Sequence, residues 1–329
     1  MKTKVTSGKS GKSKSGNGIM FHMKDKAIWL VFIFLCIFFA FANNRFLAPD
    51  NLLTILLQVS MYGIASIGMT FVILIAGIDL SAGSIITIVN IVCAWLMVRF
   101  NMNMWLAVLC SLIMSTLIGV FNGFMVSTIG MPALIATFAS QTIFEGAAYL
   151  LSGGTPIYGF TPSFKVIGQG KLGPIPVPII IMLLCFAAGS FILNKTYFGR
   201  YFYAVGGNEE AAKLSGIRVG RVKYLIYALA GFFAGLAGIV LLSRTNSAQA
   251  TAGKGYEFDV ITCVVLGGVS VNGGYGKLSN VLAGVLIIGA LTNGMILMNV
   301  SSYMQMVVKG IILILAVGFD CVQRNRRTV

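Results

Sequence analysis

Charge is scarce in this chain. Only 10% of its 329 residues are Asp, Glu, Lys or Arg, and only nine of those are acidic. Soluble domains carry roughly 25% charged residues. So few charges cannot cover a water-facing surface of this size. There is a single histidine, His22, set among lysines and serines near the start. A histidine-based metal or catalytic centre is thereby excluded. The six cysteines (Cys36, Cys93, Cys110, Cys185, Cys263 and Cys321) are dispersed through or beside apolar runs, with no CxxC or metal spacing. They read as small apolar packing residues. No Ser/His/Asp set and no relay of intramembrane acids and histidines is present, so no enzyme is indicated; the energy for any transport comes from elsewhere, and the alternative is a stand-alone secondary transporter or channel for a small neutral solute.

Apolar residues dominate instead: 57% of the chain, with a mean hydropathy of +0.90. The composition is that of an all-α polytopic membrane protein. The net charge of +15 sits in three clusters rather than over a face. Seven lysines lie in residues 1–26, six Lys/Arg run from Lys195 to Lys223, and Arg324, Arg326 and Arg327 lie near the end. Such clusters flank spans on the cytoplasmic side, and nucleic-acid binding is not expected.

Residues 1–26 are rich in Lys, Ser and Gly and read as a disordered basic tail. Gly8-Lys9-Ser10 and Gly11-Lys12-Ser13 look like fragments of a phosphate loop. A full loop needs a first glycine where Thr3 and Thr6 stand, and a strand before it. ATP binding by that route is excluded.

Ten apolar runs follow, at 27–42, 52–76, 83–98, 104–126, 132–151, 176–193, 224–242, 258–275, 280–298 and 303–320. Most approach the ~20 residues that cross a bilayer. The first run, with Ala40-Phe41-Ala42 at its end, also resembles a secretory signal. An even count of about ten spans favours a retained span. It places both basic termini and the 194–223 loop on the cytoplasmic side, and the proline-bearing 152–175 loop outside. The permease domain is then 27–323, with a short basic tail at 324–329.

Gly77–Ser84 and Gly267–Gly274 break the hydrophobic pattern in the two halves, and Asn122-Gly123 and Asn293-Gly294 follow them. This is a weak inverted repeat, with polar breaks near a substrate path. Asp79, Ser81, Asn90, Asn122, Gln141, Glu145 and Asn293 are the candidates to line that path. Amides donate and accept, which suits a neutral polyhydroxylated solute. The competing role for each is structural. Asp79 is expected first to cap the helix near Ser81, and the amides serve equally as interhelical glue. Glu257 and Asp259 are expected at the outer rim of the eighth span, and Lys309 snorkelling near a helix end. Gly231, Gly235 and Gly238 give the seventh span small faces for close packing.

Asn208-Glu-Glu-Ala-Ala-Lys-Leu-Ser-Gly216 is a polar island among these spans. Asn208 suits an N-cap, Glu209 and Glu210 suit the first turn, and Gly216 suits a left-handed stop. About two turns of helix are too few to stand alone. The segment is a docking knob for a cytoplasmic partner or an ordinary surface helix.

Six stretches together carry a resemblance: Gly77–Ser84, Phe198–Asn208, Glu210–Gly216, Ser247-Ala-Gln-Ala-Thr-Ala-Gly253, Val264–Ser270 and Ser301–Gly310. In this order they resemble the ribose-type permease family of bacterial ABC importers, within the branched-chain amino acid and sugar permease superfamily. The resemblance runs from about Lys24 to Arg324. It implies an inverted-repeat, type II ABC importer-like core in the bacterial inner membrane. It implies a second permease copy or related permease, an extracytoplasmic sugar-binding protein, and a separate ATPase that hydrolyses the ATP, with no cofactor on this chain. It also makes Asn208, Glu209, Glu210, Ala211, Ala212 and Gly216 the ATPase-docking helix. The proline that often follows such a loop is absent, as this subfamily implies.

Overall fold

The computed structural model describes residues 16–328, with side chains from 27 to 322. The Thr3 and Thr6 positions lie outside the described residues. Among the described residues the protein is a bundle of helices, α1 to α13, with one two-stranded hairpin. Long apolar helices are α2 (Pro49–Leu74), α3 (Ala82–Arg99), α4 (Met104–Phe124), α5 (Ala133–Ser152), α7 (Val177–Lys195), α10 (Val219–Thr245), α12 (Leu278–Leu297) and α13 (Ser302–Thr328). Among the described residues these eight are long and apolar enough to cross a membrane. α1 (Gly16–Ala42) adds a shorter apolar stretch, Ala27–Ala42. α1 begins within the segment read as a tail, and α13 runs on through the third basic cluster.

The eighth apolar run does not form one span. α11 (Tyr256–Leu266) has 11 residues, about 16 Å of helix, half of what a bilayer core needs. Gly267 ends it, and Gly268 at φ 77° turns the chain into an irregular stretch before α12.

α10 is the central helix, packed on α4, α2 and α3. Its glycines let backbones meet. Gly231 and Gly235 lie against Ser115 of α4, and Gly238 lies against Ile86 of α3. The small faces read in the sequence are therefore packing surfaces. On the far side of α4 a single π-helical turn, Met125–Ile129, carries the chain toward α5.

Outside the spans, α6 (Pro162–Gln169) caps the end of α10. Ser243 Oγ accepts from Gly168 N at 2.7 Å and donates to Phe164 O at 2.6 Å. β1 (Lys171–Leu172) and β2 (Ile175–Pro176) pair antiparallel across a turn at Gly173. At the other end, α8 (Tyr197–Gly207) and α9 (Glu209–Leu214) connect α7 to α10.

Candidate functional site: a docking helix and a re-entrant segment

α9 is held at both ends by its own sequence. Asn208 Oδ1 accepts from Ala211 N at 2.9 Å, the N-cap bond expected of it. Glu209 and Glu210 occupy the first turn. Gly216, at φ 82°, takes the left-handed position that lets Ile217 N return to Ala212 O. Ala212 is buried and fixes α9 to the bundle.

The two acids have different surroundings. Glu209 is bonded to Lys223 of α10 at 2.9 Å and lies 3.4 Å from Lys213. Partial burial works against its charge, but hydrogen bonds and charge from Lys223 and Lys213 outweigh it and hold Glu209 below the usual carboxylate range. Glu209 is thus a tether. Glu210 points outward, sharing only Lys213. Beside it Leu214 is 90% exposed, an apolar tip in a polar loop. A cavity of about 330 Å³ opens next to Gly216 and is walled by Tyr197, Phe198, Tyr201, Arg218 and Arg221 among others.

The seven candidate path residues fall in separate places. Asp79 is 2% exposed and accepts hydrogen bonds from the backbone N (2.9 Å) and hydroxyl of Ser81, at the start of α3. Ser81 Oγ in turn accepts from Asn122 Nδ2 at 2.8 Å. Thr137 of α5 closes the break, accepting from Leu80 N and donating to Ile78 O, each at 3.1 Å. Asp79, Ser81 and Asn122 are brought together, in a closed knot that satisfies the broken backbone. Asn293 forms a reciprocal amide pair with Asn51, at 2.9 and 3.0 Å, joining α12 to α2.

Asn90 is bonded elsewhere, and to a purpose the sequence did not disclose. After α10 the chain turns back at Asn246 and runs beside α3. Asn90 Oδ1 accepts from Gln249 N at 3.1 Å, and Thr87 Oγ1 accepts from Gly253 N at 2.9 Å. Ile157 and Ala248 form an isolated antiparallel bridge at the outer end. Residues 247–255 are therefore a re-entrant segment, stapled to a span by side chains because it has no ladder of its own.

That segment delivers α11 into the bundle interior, which overturns the rim position expected for two acids. Glu257 is 3% exposed; its Oε1 accepts from Gln141 Nε2 at 3.1 Å, with Glu145 nearby. Its Oε2 lies against Gly83, where only a glycine leaves room. Asp259 pairs with Lys309 at 2.9 Å, with both side chains mostly buried. Lys309 does not snorkel, because an acid sits within reach. Tyr62 and Tyr256 pack beside this pair, ring centroids 4.7 Å apart. Among the described residues no group of His, Cys, Asp and Glu could hold a metal.

Residues 51–317 match the family described as the branched-chain amino acid transport system / permease component. The chain belongs to this permease family. The ribose import permease protein RbsC of Bacillus subtilis (strain 168) is 45% identical over 300 residues, covering 91% of this chain and 93% of that one. RbsC of Haemophilus influenzae is 42% identical over 300 residues, covering 90% and 93%. The L-arabinose transport system permease protein AraH of Escherichia coli (strain K12) is 38% identical over 330 residues, covering 100% of each. No solved structure matches. The chain is a multi-pass permease of the bacterial inner membrane and not an enzyme.

Proposed function

We propose that this permease is the membrane subunit of an ABC importer for a monosaccharide, with ribose the first candidate. Its similarity to ribose import permeases supports the sugar, and its similarity to L-arabinose permeases makes that sugar the second candidate. The observation that carries the energy source is α9: a capped, tethered helix with Glu210 and Leu214 left facing outward. Leu214 has no reason to be exposed in a loop that ends there. It fits a partner that buries it.

In this reading a cytoplasmic ATPase receives Glu210, Ala211 and Leu214, while Asn208, Glu209, Ala212 and Gly216 hold the helix in place. The groove at Arg218 and Arg221 accepts the partner's edge. ATP binds and is hydrolysed on that partner. A second permease copy completes the membrane core, and an extracytoplasmic binding protein delivers the sugar. About ten passes, counting α1 and one broken crossing made by residues 247–255 together with the half-length α11, put both termini in the cytoplasm. The breaks after α2 and α11 are the corresponding points of the inverted repeat.

Purification in mild detergent, wild type beside Glu210→Lys and Leu214→Asp, tests this. Mass spectrometry is expected to find an ATPase with wild type and to find it lost from both variants, at unchanged membrane insertion. Normal sugar uptake by Glu210→Lys and Leu214→Asp would sink the docking assignment. Uptake of labelled ribose and L-arabinose by the reconstituted complex then separates the two sugars.

A further inference from the structure

The re-entrant segment has a pattern that packing does not account for. Ala248 and Ala250 are buried, while Gln249, Thr251 and Lys254 are exposed. Polar side chains thus point away from the bundle at the depth where Gln249 N and Gly253 N bond to Asn90 and Thr87. From Thr87 α3 runs on to Arg99, about 18 Å of helix toward the outer side. The exposed groups therefore lie within the span and not at its rim.

Lipid cannot be what they face. Gln249 Nε2 donates to Ser247 Oγ at 3.3 Å, but in hydrocarbon its amide oxygen, the Thr251 hydroxyl and the Lys254 ammonium would lack partners, and charged groups at this depth turn toward protein or a water-filled cavity. Lys254 has no acidic partner among the described residues. A dry contact with a second identical copy also fails near a two-fold axis, since it would set Lys254 against Lys254. A wet surface remains. Its chemistry is one amide, one hydroxyl and one ammonium, a set that donates to and accepts from hydroxyl groups without demanding a charge on the solute.

We infer that residues 247–255 form a wall of the solute path, with Gln249, Thr251 and Lys254 presented to a neutral polyhydroxylated solute. This rests on the permease reading above. It moves the path from the buried amides to a segment whose backbone Asn90 and Thr87 hold. Asn90 and Thr87 are positioning residues for that wall. Asn90 acts through Gln249 N and not by touching the solute.

The test uses the full-length permease with its ATPase in proteoliposomes. Thr251→Cys and Lys254→Cys are treated with a charged thiol reagent that does not cross lipid, and labelling is read by mass spectrometry of the peptide around residue 251. Leu117→Cys, at a position 60% exposed in the middle of α4, is the lipid-facing control. Labelling at 251 and 254 but not at 117 is expected. Gln249→Leu is expected to lower kcat/KM for sugar uptake by about tenfold while the ATPase still co-purifies. No labelling at 251 or 254, or normal uptake by Gln249→Leu, overturns the assignment. Wild-type uptake separates the two failures. If wild type takes up no sugar, the sugar-importer reading falls, and labelling still decides whether the segment is wet.

Discussion

Glu209 and Lys223 bind each other at 2.9 Å and tie the short α9 to the first turns of α10. The pair divides the labour of two adjacent acids. One fixes the short helix to the long central one, and the other faces outward. Because the link is an ion pair, it is open to titration.

The sign follows from the direction of the shift. Glu209 is held below its ordinary value in the folded protein. Its contribution is present above the ordinary carboxylate pKa and is lost as pH falls through the lowered one. It is screened at this surface and contributes no more than about 1 kcal/mol. Limited proteolysis at residues 208–216 in nanodiscs is expected to accelerate between about pH 5 and pH 3. Glu209→Gln is expected to be cleaved faster at neutral pH and to lose that part of the pH dependence.

The Asp259–Lys309 pair joins α11 to α13 where both side chains are largely out of solvent. Removing one partner strands a charge, at a cost of about 3–5 kcal/mol. Lys309→Leu or Asp259→Leu alone should lower the thermal midpoint strongly. The double change Asp259→Leu with Lys309→Leu should recover much of the loss. Additive losses in that cycle would count against a coupled pair.

Thr87 satisfies Gly253 N through its hydroxyl. Thr87→Val keeps the shape and orphans a buried donor, at about 1–3 kcal/mol. Thr87→Ser keeps the hydroxyl and should stay near wild type. Denaturation of the purified permease, followed by circular dichroism, reads the difference.

Gly83 has Glu257 and the Gly253 carbonyl against it, the latter 2.7 Å from where a Cβ would stand. Gly83→Ala should displace the start of α11 and sharply lower the yield of folded protein. Adding Glu257→Ala removes only the carboxylate clash, so partial recovery is expected. Full stability of Gly83→Ala alone, by size-exclusion chromatography in detergent, would contradict this packing.

The parts of the fold that depend on near neighbours were legible in the sequence. α9 is the clearest case, since Asn208, the two glutamates and Gly216 act within a few residues of one another. The apolar runs gave α2 to α5, α7, α10, α12 and α13 for the same reason. The eighth run was misleading, because hydropathy is the same for a full span and for a half-length helix followed by buried turns. Glu257, Asp259 and Lys309 were misplaced because their partners are remote: Gln141 lies on α5, and Asp259 is fifty residues from Lys309. The signal for the re-entrant segment was present but unread. Ser247, Gln249 and Thr251 alternate with alanines, unlike any lipid-facing stretch of this chain. The family's ABC character came from six motifs in order, not from hydropathy.

α13 meets the bundle chiefly along α11. It is fastened near both ends of that helix, by Lys309 to Asp259 and by Asp320 Oδ2 to Ser270 Oγ and Val271 N at 2.9 and 3.1 Å. Its other faces are apolar and uncovered, with Met306, Ile314 and Phe319 all exposed. Hydrocarbon tails solvate such side chains as well as another helix would. A tilt of α11 therefore carries α13 with it as one rigid pair, and α13 exchanges one lipid neighbour for another without unpacking a core. α12 and α2 restrain α11 on its other sides, while the bilayer, through its thickness and fluidity, sets the resistance that α13 itself meets.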